Sequence, residues 1–383
     1  MRIGFLCNHD QIHQIAHSLP IALAMAQLGH DVLVAASSDA IVAEITRLAG
    51  PDRLATIKVV RLDVQRASSR LAERLLGELV PARKLVIYRD NLDFFRSLDV
   101  LVVTERTSLL LKQRYGLNDL TMVLADHGAG DRAIGFGSSA TAFDLILAAG
   151  PKIRDRLIAE AGVDPANITI TGYAKFDTTG AERPALPIQA NGRPTVLYNP
   201  HLSPHLSSWY KLGSAVMDQF VASSRYNLIF APHIMLFHRR FVVTIDRLRI
   251  DRPGKLDPRW LAAPNIHIDT ASAALTDMTY TRAADVYLGD VSSQVYEFLR
   301  EPRPCLFLSA HGVDYRDDPN YAHWQAGPVL ESVHDLDAQI DHAIASHAAT
   351  YRAEQQRLFA YTFDLTDEPS GMRAARAITA LYA

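Results

Sequence analysis

Short, continuously apolar runs separated by helix-patterned stretches recur along this chain, and that rhythm restricts it to folds built on parallel sheets buried on both faces. Arg2 to Cys7 is the first such run. Ile12 to Leu28 then carries helical apolar spacing, and Gly29-His30 leads into a Val-rich run from Asp31 to Ala36, which makes a βαβ opening. The runs continue at Val100 to Val103, Met122 to Ala125 and Leu145 to Ala148. Apolar content then drops through Thr178-Thr179-Gly180-Ala181-Glu182-Arg183-Pro184 and Asn191-Gly192-Arg193-Pro194, where turn and breaker residues gather. A second series follows at Thr195 to Tyr198, Asn227 to Ala231, Ile266 to Ile268, Val286 to Leu288 and Cys305 to Leu308. With 383 residues, more than one core usually organises, the chain reads as two α/β domains joined near the middle and enclosing a cleft.

Composition removes several function classes. A formal charge of -3 supplies no global field for nucleic acid, so an anion site has to be local. The two cysteines, Cys7 and Cys305, sit inside apolar runs, which excludes a disulfide framework and fits a reducing cytoplasm. The amino-terminal apolar run is too short for a signal peptide, and no run of about 18 apolar residues is present to span a membrane. No phosphate loop of the GxxxxGK[ST] type, no GxSxG elbow and no kinase set occurs, and Gly128-Ala129-Gly130 lacks the third glycine of a dinucleotide fingerprint.

The sharpest local pattern runs from Asp285 to Phe298 and reads as strand, tight polar turn, then helix. A helix start offers unpaired N–H groups and a positive dipole end, so Ser292 and Ser293 can hold a pyrophosphate without lysine, with Glu297 one turn later able to accept from ribose hydroxyls. Asp290, Ser292 or Ser293 can equally serve as a plain helix cap. Asp126-His127-Gly128-Ala129-Gly130-Asp131 follows a strand at its carboxyl end, where open α/β sheets bind ligands; His127 can act as a general base there, and Gly128 permits close approach. His233, in Phe230-Ala231-Pro232-His233, occupies the matching place in the second half. Tyr198-Asn199-Pro200-His201 closes the first strand of that half, which makes Asn199 and His201 cleft-lining candidates, and His9 lies in the first βα turn. His201 and His205 form no metal pair, because Pro200 and Pro204 oppose the helix that would align them, and no Cys/His set has zinc spacing. Leu71, Leu75, Leu76, Leu79 and Val80 among Arg66, Arg70, Arg74, Arg83, Lys84 and Arg89 form a basic amphipathic segment, either an ordinary domain helix or a peripheral contact with an anionic inner membrane or lipid-linked acceptor.

The order of these pieces resembles the CDP-glycerol glycerophosphotransferase family, which includes teichoic-acid polymerases and primases, over roughly Val123 to Val329. The family's HG element is matched by Asp126-His127-Gly128-Ala129-Gly130, its "TGxPxxD" by Thr171-Gly172-Tyr173-Ala174-Lys175-Phe176-Asp177 without the proline, and its "PH" by Pro232-His233. Asp290-Val291-Ser292-Ser293 with Glu297-Phe298 is similar to "DYSSxxxDF", Arg303-Pro304 to the "RP" before a strand, and Ala326-Gly327-Pro328-Val329 to "PGPV". The family's lysine after HG is replaced by Asp131-Arg132.

The resemblance implies a GT-B architecture, with two Rossmann-like domains whose parallel sheets face across a cleft. It implies an acceptor-side domain over 1–180, a nucleotide-donor domain over 181–365, and a terminal helix over 366–383 returning to the first. It further implies a cytoplasmic transferase that moves a glycerophosphate or glycosyl-type group from a CDP- or UDP-linked donor to a hydroxyl of a cell-envelope polymer or lipid-linked glycan. His127 and His233 would be catalytic, Gly128, Pro232, Asp290, Ser292, Ser293 and Glu297 donor-binding, and no metal or other cofactor would be needed. A non-hydrolysing UDP-N-acetylglucosamine 2-epimerase and a non-catalytic nucleotide- or polysaccharide-binding protein of the same fold are the alternatives.

Overall fold

The computed structural model describes residues 1–8, 12–76, 82–126, 128–180, 182–238, 241–244 and 249–382. His9 and His127 therefore lie outside the described residues, as do Leu79 and Val80 of the basic segment. The chain separates into two compact units. The first comprises Met1–Gly128, Phe136–Thr179 and Tyr361–Ala383, and the second comprises Ala129–Gly135 and Gly180–Ala360. A single boundary at 180 thus does not describe the chain: the seven residues after the HG pair belong with the second unit.

The first unit is built on β1 (Arg2–Cys7), β2 (Asp31–Ala36), β3 (Lys58–Arg61), β4 (Val100–Val103), β5 (Thr121–Ala125), β6 (Leu145–Ala148) and β7 (Ile168–Ile170), all parallel in the order β3-β2-β1-β4-β5-β6-β7. Its central strands are continuously apolar, as strands buried on both faces can be: Ile3, Phe5, Val32, Val34, Val100 and Val102 share one buried cluster with Ile15, Leu19 and Leu23 of the helix Ile15–Gln27. The terminal helix Ser370–Ala380 closes this core through Ala374, Ala375 and Ile378. Two members of the TGxPxxD-like segment seat it. Gly172 stands at φ +85° where a Cβ would fall 2.4 Å from the Ser370 hydroxyl oxygen, and the Asp177 carboxylate accepts the backbone N–H groups of Ser370 at 3.2 Å and Gly371 at 2.7 Å.

The second unit carries β8 (Thr195–Asn199), β9 (Asn227–Phe230), β10 (Val242–Thr244), β11 (Arg249–Asp251), β12 (Ile266–Ile268), β13 (Val286–Gly289), β14 (Cys305–Leu308) and β15 (Val329–Leu330). Six of them form a parallel sheet in the order β12-β9-β8-β13-β14-β15, and β10 and β11 form a separate antiparallel ribbon. Trp209 stacks on Phe230 with centroids 4.8 Å apart and meets Trp260 edge-on, so ring contacts run through this core beside its aliphatic residues. Both sheets have the doubly wound order, in which the chain reverses direction beside the first strand. In the second unit that switch point lies between β8 and β13, and the carboxyl ends of these strands are where such sheets receive ligands.

Candidate functional site

The carboxyl ends of β8, β9 and β13 deliver three loops to one place in the second unit. β8 ends in Asn199, which is spent on structure: its amide donates to the Ala231 carbonyl at 2.6 Å and its oxygen accepts from the Tyr287 hydroxyl at 3.3 Å. That tie holds the loop Pro200–His201 beside Pro232–His233, and the His233 N–H donates to the Pro200 carbonyl at 3.0 Å. The two imidazoles end with ring centroids 5.9 Å apart.

The tautomers of both rings follow from their neighbours. His201 Nδ1 accepts the Ser203 N–H at 2.9 Å, and His233 Nδ1 accepts the Met235 N–H at 3.2 Å, so in each neutral ring the proton sits on Nε2. Burial pulls His233 down to about 4. Burial, followed by the charges of His233, Arg132 and His205, pulls His201 well below its ordinary range. Near pH 7 both rings are neutral donors. Arg132 Nη1 stands 3.5 Å from His201 Nε2, which brings a guanidinium beside the imidazole pair. A guanidinium and imidazole N–H groups are chemistry suited to an anion.

A pH test follows. Because the folded protein holds these rings neutral while the unfolded chain protonates them near 6.5, stability is full above pH 6.5 and falls as the pH drops toward 4. Urea titrations across this window should show His233→Gln losing less stability per pH unit than the parent, by a slope approaching ~1.4 kcal/mol per pH unit. Equal slopes would contradict the neutral assignment.

Asp290, following β13, is fully buried, and its carboxylate accepts four bonds. These come from the His201 N–H at 2.9 Å, the Val291 N–H at 2.7 Å, and the Ser208 N–H and hydroxyl at 2.6 and 2.8 Å. Burial raises its pKa against these bonds. Asp290 therefore shapes the turn and places the His201 loop instead of facing a ligand. The helix expected after this turn is Gln294–Phe298, a single turn of five residues, and Ser293 at its start makes no capping bond with its side chain. So few aligned peptides develop little dipole, which shifts the electrostatic weight of the site from a helix end to the imidazoles and Arg132. Ser292 is buried with its hydroxyl on Tyr287, Ser293 is exposed, Glu297 is buried at 6 % exposure, and Pro232 is buried. Gly128 belongs to the first unit and has open space where a Cβ would stand.

Arg132, Asp131 and His323 are the site residues that sequence reasoning missed. The replacement of the family's lysine by Asp131-Arg132 was a visible signal for the first two; nothing in the local pattern marked His323. Asp131 is 2 % exposed and accepts from the Tyr296 hydroxyl at 2.8 and 2.9 Å and from the His323 N–H at 3.1 Å. Gly130, just before it, would place a Cβ 3.2 Å from the Ser293 Cβ, so the peptide lies directly on the Ser292-Ser293 turn.

The Arg303-Pro304 pair has a mechanical reading. The Arg303 guanidinium donates to the carbonyls of Thr281, Arg282, Ala284, Phe298 and Glu301 and lies 4.0 Å from the Phe298 ring. It thereby caps the carboxyl ends of the two helices that flank β13, Thr279–Ala283 and Gln294–Phe298. Asp318 caps a turn, accepting the Asn320 N–H at 2.8 Å. Among the described residues no helix is long and apolar enough to cross a membrane.

No family model matches the sequence, and no curated protein matches it. Solved structures do. The wall teichoic acid polymerase TagF aligns over 100 % of this chain and 90 % of its own at 12 % identity, with a TM-score of 0.59. A Listeria monocytogenes protein provisionally assigned as a UDP-N-acetylglucosamine 2-epimerase aligns over 99 % and 95 % at 14 % identity, also at 0.59. Anabaena HepE, solved with UDP and glucose, aligns over 100 % and 99 % at 15 % identity, with a TM-score of 0.53. With parallel sheets of seven and six strands and these neighbours, the chain has the GT-B fold.

Proposed function

We propose that this chain is a nucleotide-dependent transferase that holds the diphosphate of an activated donor at Arg132, His201 and His233 and passes the activated group to an acceptor hydroxyl. The observation that carries this reading is the convergence of the Arg132 guanidinium and the His201 Nε2–H, with His233 alongside, at the switch point of a doubly wound sheet. Two neutral imidazole N–H donors and one guanidinium charge stabilise a diphosphate without a divalent cation, so transfer is expected to survive chelation. HepE with UDP and the teichoic acid polymerase are neighbours consistent with such donors. The ordered HG, PH and DVSS matches favour CDP-glycerol within that class.

In the step itself the acceptor oxygen bonds to the transferred group as the bond from that group to the nucleotide phosphate breaks. The electron pair leaves on that phosphate, where Arg132, His201 and His233 offset the charge, with Ser292-Ser293 as the adjoining turn. His127, carried from the family resemblance, takes the acceptor proton. His127→Ala is expected to lower transfer by about 10²- to 10⁴-fold with donor affinity retained; unchanged turnover would remove it as the base.

Calorimetric titration with CDP-glycerol, CDP, UDP-N-acetylglucosamine, UDP and GDP, with and without magnesium, tests the donor. Metal-independent preference for cytidine compounds supports glycerophosphate transfer. A uridine preference points to glycosyl transfer or, if free UDP-N-acetylglucosamine is converted without acceptor, to epimerisation. No binding overturns the reading.

A further inference from the structure

The peptide Ala129–Gly135 is held to the second unit by a buried relay. The Asp131 carboxylate meets His323 Nδ1 at 2.8 Å, and His323 Nε2 meets the Asp290 carbonyl at 2.9 Å, where Trp324 Nε1 also donates at 2.8 Å. Both partners of the imidazole are acceptors. Asp290, through its side chain, holds the His201 N–H. One histidine thus joins the peptide that carries Arg132 to the turn that places His201. His323 and Asp131 are themselves buried, and Gly130, just before Asp131, packs on Ser293.

We infer that Asp131 and His323 are positioning residues of the anion site: they set the distance between Arg132 and His201, so that the diphosphate is gripped from two chain segments at once. This rests on the donor-site reading above. A carboxylate bound by Tyr296 and by both the ring and the backbone of His323 cannot move without breaking several buried hydrogen bonds, each costly to leave unmade. Arg132, one residue on, inherits that rigidity.

The test is a double-mutant cycle on the full chain, with CDP and UDP as probes and cytidine and uridine as controls lacking phosphate. Arg132→Ala should weaken diphosphate binding about tenfold or more. His323→Gln should weaken it comparably while leaving nucleoside binding unchanged, and the double variant should bind no worse than the weaker single variant. A merely structural role would instead depress nucleoside and nucleotide binding together, or multiply with the loss from Arg132→Ala. Either result, or an unchanged Kd in His323→Gln, overturns the positioning role. If His323→Gln loses its cooperative melting transition, Asp131→Asn carries the same cycle. Hydrogen exchange of the Ala129–Gly135 amides should then accelerate in Asp131→Asn, and unchanged protection with unchanged affinity would equally reject the role. A parent protein that binds neither nucleotide brings down the donor-site reading and this inference together. Multiplicative losses in a parent that binds tightly bring down the inference alone.

Discussion

Replacing His233 by alanine is expected to cut kcat/KM for transfer by about 10²- to 10³-fold, the effect of deleting one donor aimed at developing charge. The ring is set for this by three local facts: its own N–H fixes the loop on the Pro200 carbonyl, its Nδ1 is occupied by the Met235 amide, and burial keeps it neutral, with a pKa near 4. What remains is one Nε2–H. If that hydrogen meets the departing phosphate, its removal lowers kcat more than it raises KM, because the bond strengthens as negative charge accumulates. Steady-state kinetics on His233→Ala, with circular dichroism to confirm folding, separates the cases. A rise in KM alone would reduce His233 to ground-state binding, and unchanged kinetics would remove it from the site.

The second large effect concerns stability. Arg303→Ala leaves five carbonyls without their donor, and orphaned buried acceptors cost about 1–3 kcal/mol apiece when water cannot replace the bond. Partial access to solvent reduces the sum, so a loss of about 4 kcal/mol and a fall in Tm of roughly 10 °C are expected. Lysine keeps the charge but lacks the planar fork that reaches several carbonyls at once, so Arg303→Lys should recover only a minor part of the loss. Differential scanning calorimetry decides this. An Arg303→Ala protein melting within about 2 °C of the parent would show that the two helix ends flanking β13 need no common cap.

The fold was legible where both faces of a strand are buried. Arg2–Cys7, Asp31–Ala36 and Val100–Val103 read as strands because a strand covered on both sides can be apolar at every position. Strands toward the sheet edges were harder. Lys58–Arg61 and Val329–Leu330 are short, only part-buried or exposed, and carry no continuous apolar signal. The turn after β13 was found, but its helix was overestimated in weight. A polar turn followed by apolar periodicity does not reveal that only five residues will be helical.

The candidate site divides in the same way. His201 and His233 could be named because each follows a strand directly, and strand ends are marked in the linear pattern. Asp290 could be named, but its role could not, since whether a carboxylate faces a ligand or four internal donors depends on loops distant in sequence. His323 carries no local signature at all. Its partners are Asp131, 192 residues earlier, and the Asp290 carbonyl, 33 residues earlier.

By itself, then, the sequence determined the two α/β series, the break near residue 180 and the strand-end residues, because apolar periodicity and turn chemistry are properties of neighbours along the chain. Tertiary structure alone decided that the peptide Ala129–Gly135 belongs with the second unit and that Arg132 stands by His201. It also decided that Asp177 caps a helix nearly two hundred residues away. Those outcomes come from buried polar groups finding partners across the fold, and a buried donor or acceptor accepts whichever partner the packing brings to it.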